Sequence, residues 1–348
     1  IYFRNKYGIS SVDYPIFNNP KVDRYKRIIF RNSGGDFNST HFRDALLHEV
    51  MGVMNLEKQE SQPSVVYING EYWGIHNIRE KYDKHYLNYK LGANEDSVNI
   101  LGICGEIEEG DNSDYLKLID FVEDNTLTSN ENYLYVSSEI DIDNFIDFQI
   151  AEIYFANYDW PGNNFKIWRS QHPKSKWRFL IFDLDFSFGL DEKSNSSTNS
   201  MEHATMLGES WPHANCSNLL FRKLLENEEF KSQFLARFEY HLNTTFKPER
   251  INDIIDGFVE NYSIEIVHQI RRWNYPSLFS EWENEVDILR EFARKRPWYM
   301  VNNIVSFFDL SGFNGLPGGY SHPIGFQPYE GQYVHRRSST DIGITDGD

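Results

Sequence analysis

Residues 157–164 read Asn157-Tyr158-Asp159-Trp160-Pro161-Gly162-Asn163-Asn164, and residues 182–185 read Phe182-Asp183-Leu184-Asp185. Asp159 and Asn164 flank a turn that Pro161 and Gly162 favour, an arrangement that aims a carboxylate and an amide oxygen at one cavity. A carboxylate so placed orients or deprotonates a hydroxyl nucleophile, and the amide oxygen is a hard ligand for Mg²⁺. Asp183 leaves the apolar strand Leu180-Ile181-Phe182 and is the expected main metal ligand. Asp185 points the same way by strand alternation and is the expected second ligand. Carboxylates among such large apolar residues are costly to bury unpaired. A divalent cation explains them; ion pairs with an arginine such as Arg169 or Arg178 explain them equally well.

Working outward, residues 141–156 carry Phe145, Ile146, Ile150, Ile153 and Tyr154 at helical spacing, which predicts a helix delivering the Asp159 turn. Asn164–Trp168 and Trp177–Phe182 read as two strands across a turn with Pro173 and Lys174. Residues 189–213, rich in Ser, Asn and Thr, are too long for an ordinary connector and read as a functional or mobile loop. Beyond Asn218 apolar residues recur at helical intervals over 219–242, 250–273 and 282–296. The tail from Ser311 reads as a packed strap with a frayed end.

Upstream, the apolar run from Arg27 to Phe30 ends in Arg31, and Asn32-Ser33-Gly34-Gly35-Asp36 then leads into a helical pattern over 40–54. Residues 63–79 predict a hairpin, because Asn69-Gly70 supplies two positive-φ residues between apolar runs. The polar stretch 105–114 reads as the loop joining this β-rich part to the rest. Arg31, at a strand end, is placed to reach an α- or β-phosphate. Glu80 is its expected ion-pair partner, with Glu49 as the substitute. Gly34-Gly35 is either a phosphate nest or simply a turn.

Hydrophobic residues make up 40% of the 348 and aromatics 16%, a globular composition. A chain this long buries roughly three quarters of its unfolded surface. The formal charge of −18 argues against nucleic acid as a partner, which needs a basic surface. It does not argue against a nucleotide held through a cation. Cys104 and Cys216 are the two cysteines, too few for a multi-cysteine zinc site, although they leave a single bridge open. No apolar run is long enough to span a membrane, and Ile1–Lys6 does not read as a signal peptide. No metal-type histidine pair and no Gly-x-Ser-x-Gly elbow is present.

Asp-x-x-x-x-Asn followed by an apolar strand and Asp is the layout of a protein-kinase catalytic loop and its metal-binding Asp. Four segments carry a further resemblance: Asn69-Gly70-Glu71-Tyr72-Trp73-Gly74-Ile75-His76-Asn77-Ile78-Arg79-Glu80-Lys81; Asn157-Tyr158-Asp159; Phe182-Asp183-Leu184-Asp185-Phe186-Ser187-Phe188-Gly189; and Ala236-Arg237-Phe238-Glu239-Tyr240-His241-Leu242-Asn243-Thr244-Thr245-Phe246. Together, and in this order, they resemble the spore-coat protein H (CotH) family over about Arg27 to Phe308.

The resemblance implies an α+β, atypical protein-kinase-like two-lobed fold. Its smaller β-rich, nucleotide-binding lobe would span 1–104, its mainly helical lobe 105–310, and an extended tail 311–348. It implies a secretory-type kinase that moves phosphate from ATP to Ser or Thr of a partner protein with Mg²⁺ or Mn²⁺, at the bacterial cell surface or secreted. By that resemblance Asp159 is the catalytic Asp, Asn164, Asp183 and Asp185 hold metal, and Arg31 and Glu80 hold the nucleotide. Two departures stand out: Arg31 where the family has a strand Lys, and Leu180-Ile181-Phe182 where many members carry Pro-Trp before the Asp. Arg and Lys are not interchangeable at a phosphate. An Asp-x-Asp after an apolar strand also suits a metal-dependent glycosyltransferase, and the Arg31 departure suits a catalytically inactive kinase-like binding module.

Overall fold

The computed structural model describes residues 1–17 and 22–310. The expected strap and tail over 311–348 lie outside the described residues. Two short strands, β1 (Val12–Asp13) and β2 (Arg24–Tyr25), precede β3 (Ile28–Arg31). A 3₁₀ turn at Gly34–Asn38 leads into α1 (Arg43–Val50), and β4 (Ser61–Ile68) and β5 (Glu71–Glu80) form the expected hairpin. Its turn residues Asn69 and Gly70 have φ of +52° and +84°, the left-handed pair that matches the twist of the strands. β3 joins the far side of β5, giving a three-stranded antiparallel sheet in the order β3-β5-β4.

α2 (Lys84–Leu91) and β6 (Val98–Leu101) follow. β7 (Ile107–Glu109) lies inside the expected 105–114 loop, because β6 offers it an edge and pairs with it antiparallel. Next come α3 (Ser113–Asp124), α4 (Asn130–Glu139), α5 (Ile142–Phe155), β8 (Phe165–Ser170) and β9 (Arg178–Ile181). The last two complete a second antiparallel sheet, ordered β7-β6-β8-β9. The side chain of Asp141 caps α5, and every residue from Asn144 to Phe155 is buried, so this helix is enclosed on all faces and serves as the axis of the core. It stops at Ala156, which adopts φ +54° and turns the chain toward Asp159.

Residues 189–213 are not a bare loop. They hold a capped 3₁₀ turn at Glu192–Ser194 and the partly buried helix α6 (Ser200–Thr205). Arg296, fully buried, donates to the carbonyls of Tyr154, Ser196 and Thr198 and pins the segment to the end of α5. The helix expected over 219–242 is two, α7 (Asn215–Leu224) and α8 (Glu228–Asn243). Asn227 accepts from the amides of Glu229 and Phe230 and so starts a new helix where the apolar spacing alone suggested continuity. α9 (Pro248–Trp273) matches the reading over 250–273. α10 (Phe279–Phe307) runs through Pro297, because the burial of Met300, Val301 and Ile304 outweighs the hydrogen bond the proline removes.

The largest core cluster is continuous from Phe42, at the N-cap of α1, to Ile304 on α10, taking residues from both sides of position 104. Helices α9 and α10 pack under α1 and β5, with Trp282 donating to the Thr40 carbonyl and Gln269 accepting from the Ile75 amide. The mixture of sheets and helices is α+β. Cys104 and Cys216 are bridged, tying the turn after β6 to the first turn of α7. No described helix is long and apolar enough to cross a membrane.

Candidate active site

The turn after α5 and the turn after β9 meet through hydrogen bonds. Asn164 has φ +65° and Asp183 φ +59°, left-handed conformations that Asn and Asp adopt more readily than most residues. From there the Nδ2 of Asn164 donates to Asp159 Oδ2 at 2.7 Å and to the Asp183 carbonyl at 3.1 Å. Asn163 Nδ2 adds a second contact to the same Asp159 oxygen at 2.9 Å. The Tyr158 amide donates to the Phe186 carbonyl at 3.0 Å, so the two turns are stitched at two places.

Behind Asp159 lies a polar chain that the sequence reading did not single out. The Asp159 amide donates to Asn157 Oδ1 at 3.2 Å, and Asn157 Nδ2 donates to Glu152 Oε2 at 2.8 Å. Glu152 is fully enclosed on α5. Burial pushes its carboxyl well above the usual range, and the charge of Asp159 pushes the same way.

Asp183 and Asp185 converge, but not by strand alternation. β9 ends at Ile181, and the positive φ at Asp183 turns the chain, leaving the Asp183 side chain 35% exposed and that of Asp185 only 2%. Both carboxylates accept from one nitrogen, Nη2 of Arg31, at 2.6 Å in the case of Asp185. The Gly35 amide donates to the same Asp185 oxygen at 2.8 Å. Of the Gly34-Gly35 pair it is the Gly35 amide that meets an anion here, the carboxylate of Asp185. Gly34 has φ +54°, and a Cβ there would stand 2.0 Å from Asp185 Oδ2.

Arg169 and Arg178, the expected alternative partners of the Asp pair, are engaged elsewhere. Arg169 pairs with Glu139 and Asp114, and Arg178 with Glu57 and Asp141. Glu80 does not pair with Arg31 either. The antiparallel register sets Glu80 opposite Ile28 and Asn77 opposite Arg31, so Glu80 sits at the other end of the strand pair, where it meets Lys90 at 3.0 Å. Glu49 pairs with Lys58 at 2.8 Å.

The acid beside Arg31 on α1 is Asp44, which the sequence reading missed. Its Oδ2 lies 3.9 Å from Arg31 Nε and also accepts from Arg79, while its Oδ1 accepts from the Leu184 amide at 3.0 Å. Burial pushes Asp44 up, but Arg79, His48 and Arg31 together hold it well below the ordinary carboxylate range. Asp36 and Arg43 form a second missed link. Asp36 accepts from the Arg43 Nε at 3.1 Å, and Arg43 Nη1 donates to the Phe188 carbonyl at 2.6 Å, fastening the glycine turn to the chain after Asp185. Asp44 and Arg43 fall in an expected helix, but nothing in their spacing announced partners so distant in sequence.

Metal fits these residues on two observations. Asp185 Oδ1 is buried with no hydrogen-bond partner among the described residues, an orphan that a cation satisfies. Burial raises the Asp185 carboxyl to about 8 against the pull of Arg31, with Asp44, Asp183 and Asp36 adding to the rise, as befits an acid short of positive charge. Among the described residues no group of three His, Cys, Asp or Glu side chains forms a closed metal site. The available donors are two carboxylates and the Asn164 amide oxygen, an open set that suits a hard cation keeping waters or phosphate oxygens as its other ligands.

Compared with known protein families, residues 5–300 match the family model described as CotH kinase protein. No curated protein matches the chain.

Proposed function

The chain belongs to the CotH kinase protein family, and from that premise we propose that it moves the γ-phosphoryl group of ATP to a Ser or Thr hydroxyl of a partner protein. The observation that carries this reading is the single Asn164 nitrogen that joins the hydroxyl-orienting carboxylate of Asp159 to the main-chain carbonyl of Asp183, the expected metal-binding residue. In the proposed mechanism Asp159 receives the acceptor hydroxyl. Asn163 and Asn164 both donate to its Oδ2, which fixes the carboxylate and leaves Oδ1 to accept the hydroxyl proton. Glu152 and Asn157 hold the main chain of Asp159 from below. Asn164, Asp183 and Asp185 would hold Mg²⁺ or Mn²⁺, which when bound supplies positive charge to the transferring phosphate. Arg31 offers a guanidinium to the phosphates.

In this reading the sheet β3-β5-β4 with α1 is the nucleotide-facing lobe, and the elements after position 104 form the helical lobe. Localisation at the cell surface or in the medium is part of the proposal, supported by the Cys104–Cys216 bridge, which oxidising compartments favour. A second reading, a catalytically inactive binding module, is favoured by one observation: Arg31 occupies both Asp183 and Asp185.

Thermal denaturation in ATP with Mg²⁺, compared with UDP-sugars and with Asp183→Ala, separates these readings. The proposal expects a rise in Tm that needs both ATP and metal and is lost in the variant. A rise with UDP-sugars alone would point to glycosyl transfer, and no rise with any nucleotide would leave the inactive module.

A further inference from the structure

Arg31 sits in the metal site as a resident cation. Its Nη2 is shared between Asp183 and Asp185, and its Nε is buried without a hydrogen-bond partner among the described residues, 3.9 Å from Asp44. One guanidinium thus answers three carboxylates. A divalent ion arriving alone meets two obstacles: the oxygens it needs are already accepting from Arg31, and Arg31 repels it across a site of low dielectric. An arginine can exchange carboxylate partners for phosphate oxygens, since both offer the same forked geometry.

Resting on the phosphotransfer reading, we propose that Arg31 is a competitor for the metal site that only a polyphosphate removes, so that metal and nucleotide load as a unit. Metal alone binds weakly because it must displace Arg31 with nothing to receive it. A triphosphate receives the guanidinium and frees both carboxylates. By linkage, each ligand raises the affinity of the other by the same factor. The arginine at this strand end is then the residue that sets this coupling. An ammonium carries the same charge but has one nitrogen, whereas the guanidinium meets Asp183 and Asp185 with Nη2 and faces Asp44 with Nε.

The test measures Mn²⁺ binding by calorimetry and electron paramagnetic resonance, in wild type, Arg31→Gln and Arg31→Lys, with and without a non-hydrolysable ATP analogue; circular dichroism checks the fold. The inference expects wild type to bind Mn²⁺ at least tenfold more tightly with the analogue than without. It expects Arg31→Gln to bind Mn²⁺ alone at least tenfold more tightly than wild type and to lose most of the analogue's enhancement, with Arg31→Lys in between. Should Arg31→Gln not fold, Arg31→Lys carries the comparison. Equal Mn²⁺ affinity of the folded variants and wild type, with the analogue still enhancing it in all of them, overturns the inference and leaves the phosphotransfer reading standing. Absence of Mn²⁺ binding in every protein, with or without the analogue, overturns both.

Discussion

Asn164 donates a 2.7 Å hydrogen bond to the carboxylate of Asp159. The same nitrogen reaches the Asp183 carbonyl, so one amide spans the turn after α5 and the turn after β9. Asn164→Ala removes both bonds and places a less tolerant residue at φ +65°. The expected cost is about 1–3 kcal/mol of stability, read from urea denaturation. Phosphate transfer should fall by at least about a hundredfold, the scale of a lost positioning contact. Unchanged transfer would separate Asn164 from the chemistry.

Gly34→Ala and Gly70→Ala test whether the glycine pair is built around Asp185. Both positions have positive φ, but a Cβ at Gly34 would collide with Asp185 Oδ2 at 2.0 Å and crowd Arg31 at 3.0 Å, whereas at Gly70 nothing lies within 4 Å. Gly70→Ala should cost about 1 kcal/mol of backbone strain and leave metal-nucleotide stabilisation intact. Gly34→Ala should cost about 2–4 kcal/mol and abolish that stabilisation. Calorimetry with the ATP analogue and Mn²⁺ reads both.

How much of this was legible from residues 157–164 and 182–185 depended on the range of the forces involved. The hairpin at Asn69-Gly70, the helix before Asp159 and the strands at β8 and β9 follow from local rules, turn chemistry and spacing, that act within a few residues. The two acidic turns were recognisable because their residue types are the chemistry. Their meeting was not, since it depends on left-handed φ at Asn164 and Asp183 and on bonds across the chain. Glu80 follows the hairpin and so reads as a partner for Arg31, and only the register of β3 on β5 shows that Asn77 stands there instead. Asp44 was invisible for a similar reason: Arg79 and Leu184, which hold it, come from β5 and from the turn after β9.

The buried acid beneath the Asp159 turn predicts a pH dependence. Because the folded state raises the Glu152 pKa, it binds a proton that the unfolded chain has released. Glu152 therefore costs no stability below the unfolded pKa of about 4.3 and progressively more as pH rises toward the folded value, by up to about 1.4 kcal/mol per pH unit. Glu152→Gln keeps the shape without the proton. The Tm of this variant should gain on wild type between pH 5 and pH 7, and a difference that stays flat across that range would show that Glu152 is already ionised.

Reduction of the Cys104–Cys216 bridge opens a loop whose ends are 112 residues apart, and both cysteines are exposed to a reductant. The loop-closure model gives about 4–5 kcal/mol for a loop of this length, against a commoner measured range of about 2–4. Dithiothreitol, or Cys104→Ser with Cys216→Ser, should lower Tm by several degrees. An unchanged Tm would mean that the bridge constrains nothing beyond what the packed core already does.

The account stands or falls on whether Asp183 and Asp159 serve phosphate transfer. Wild type, Asp183→Ala and Asp159→Asn, each folded by circular dichroism, are incubated with γ-labelled ATP, Mg²⁺ and a library of Ser- and Thr-containing peptides. The account predicts metal-dependent label on peptide hydroxyls with wild type and at least about a hundredfold less with either variant. Label transfer of equal rate in all three proteins, or none with wild type that binds ATP and metal, would contradict it.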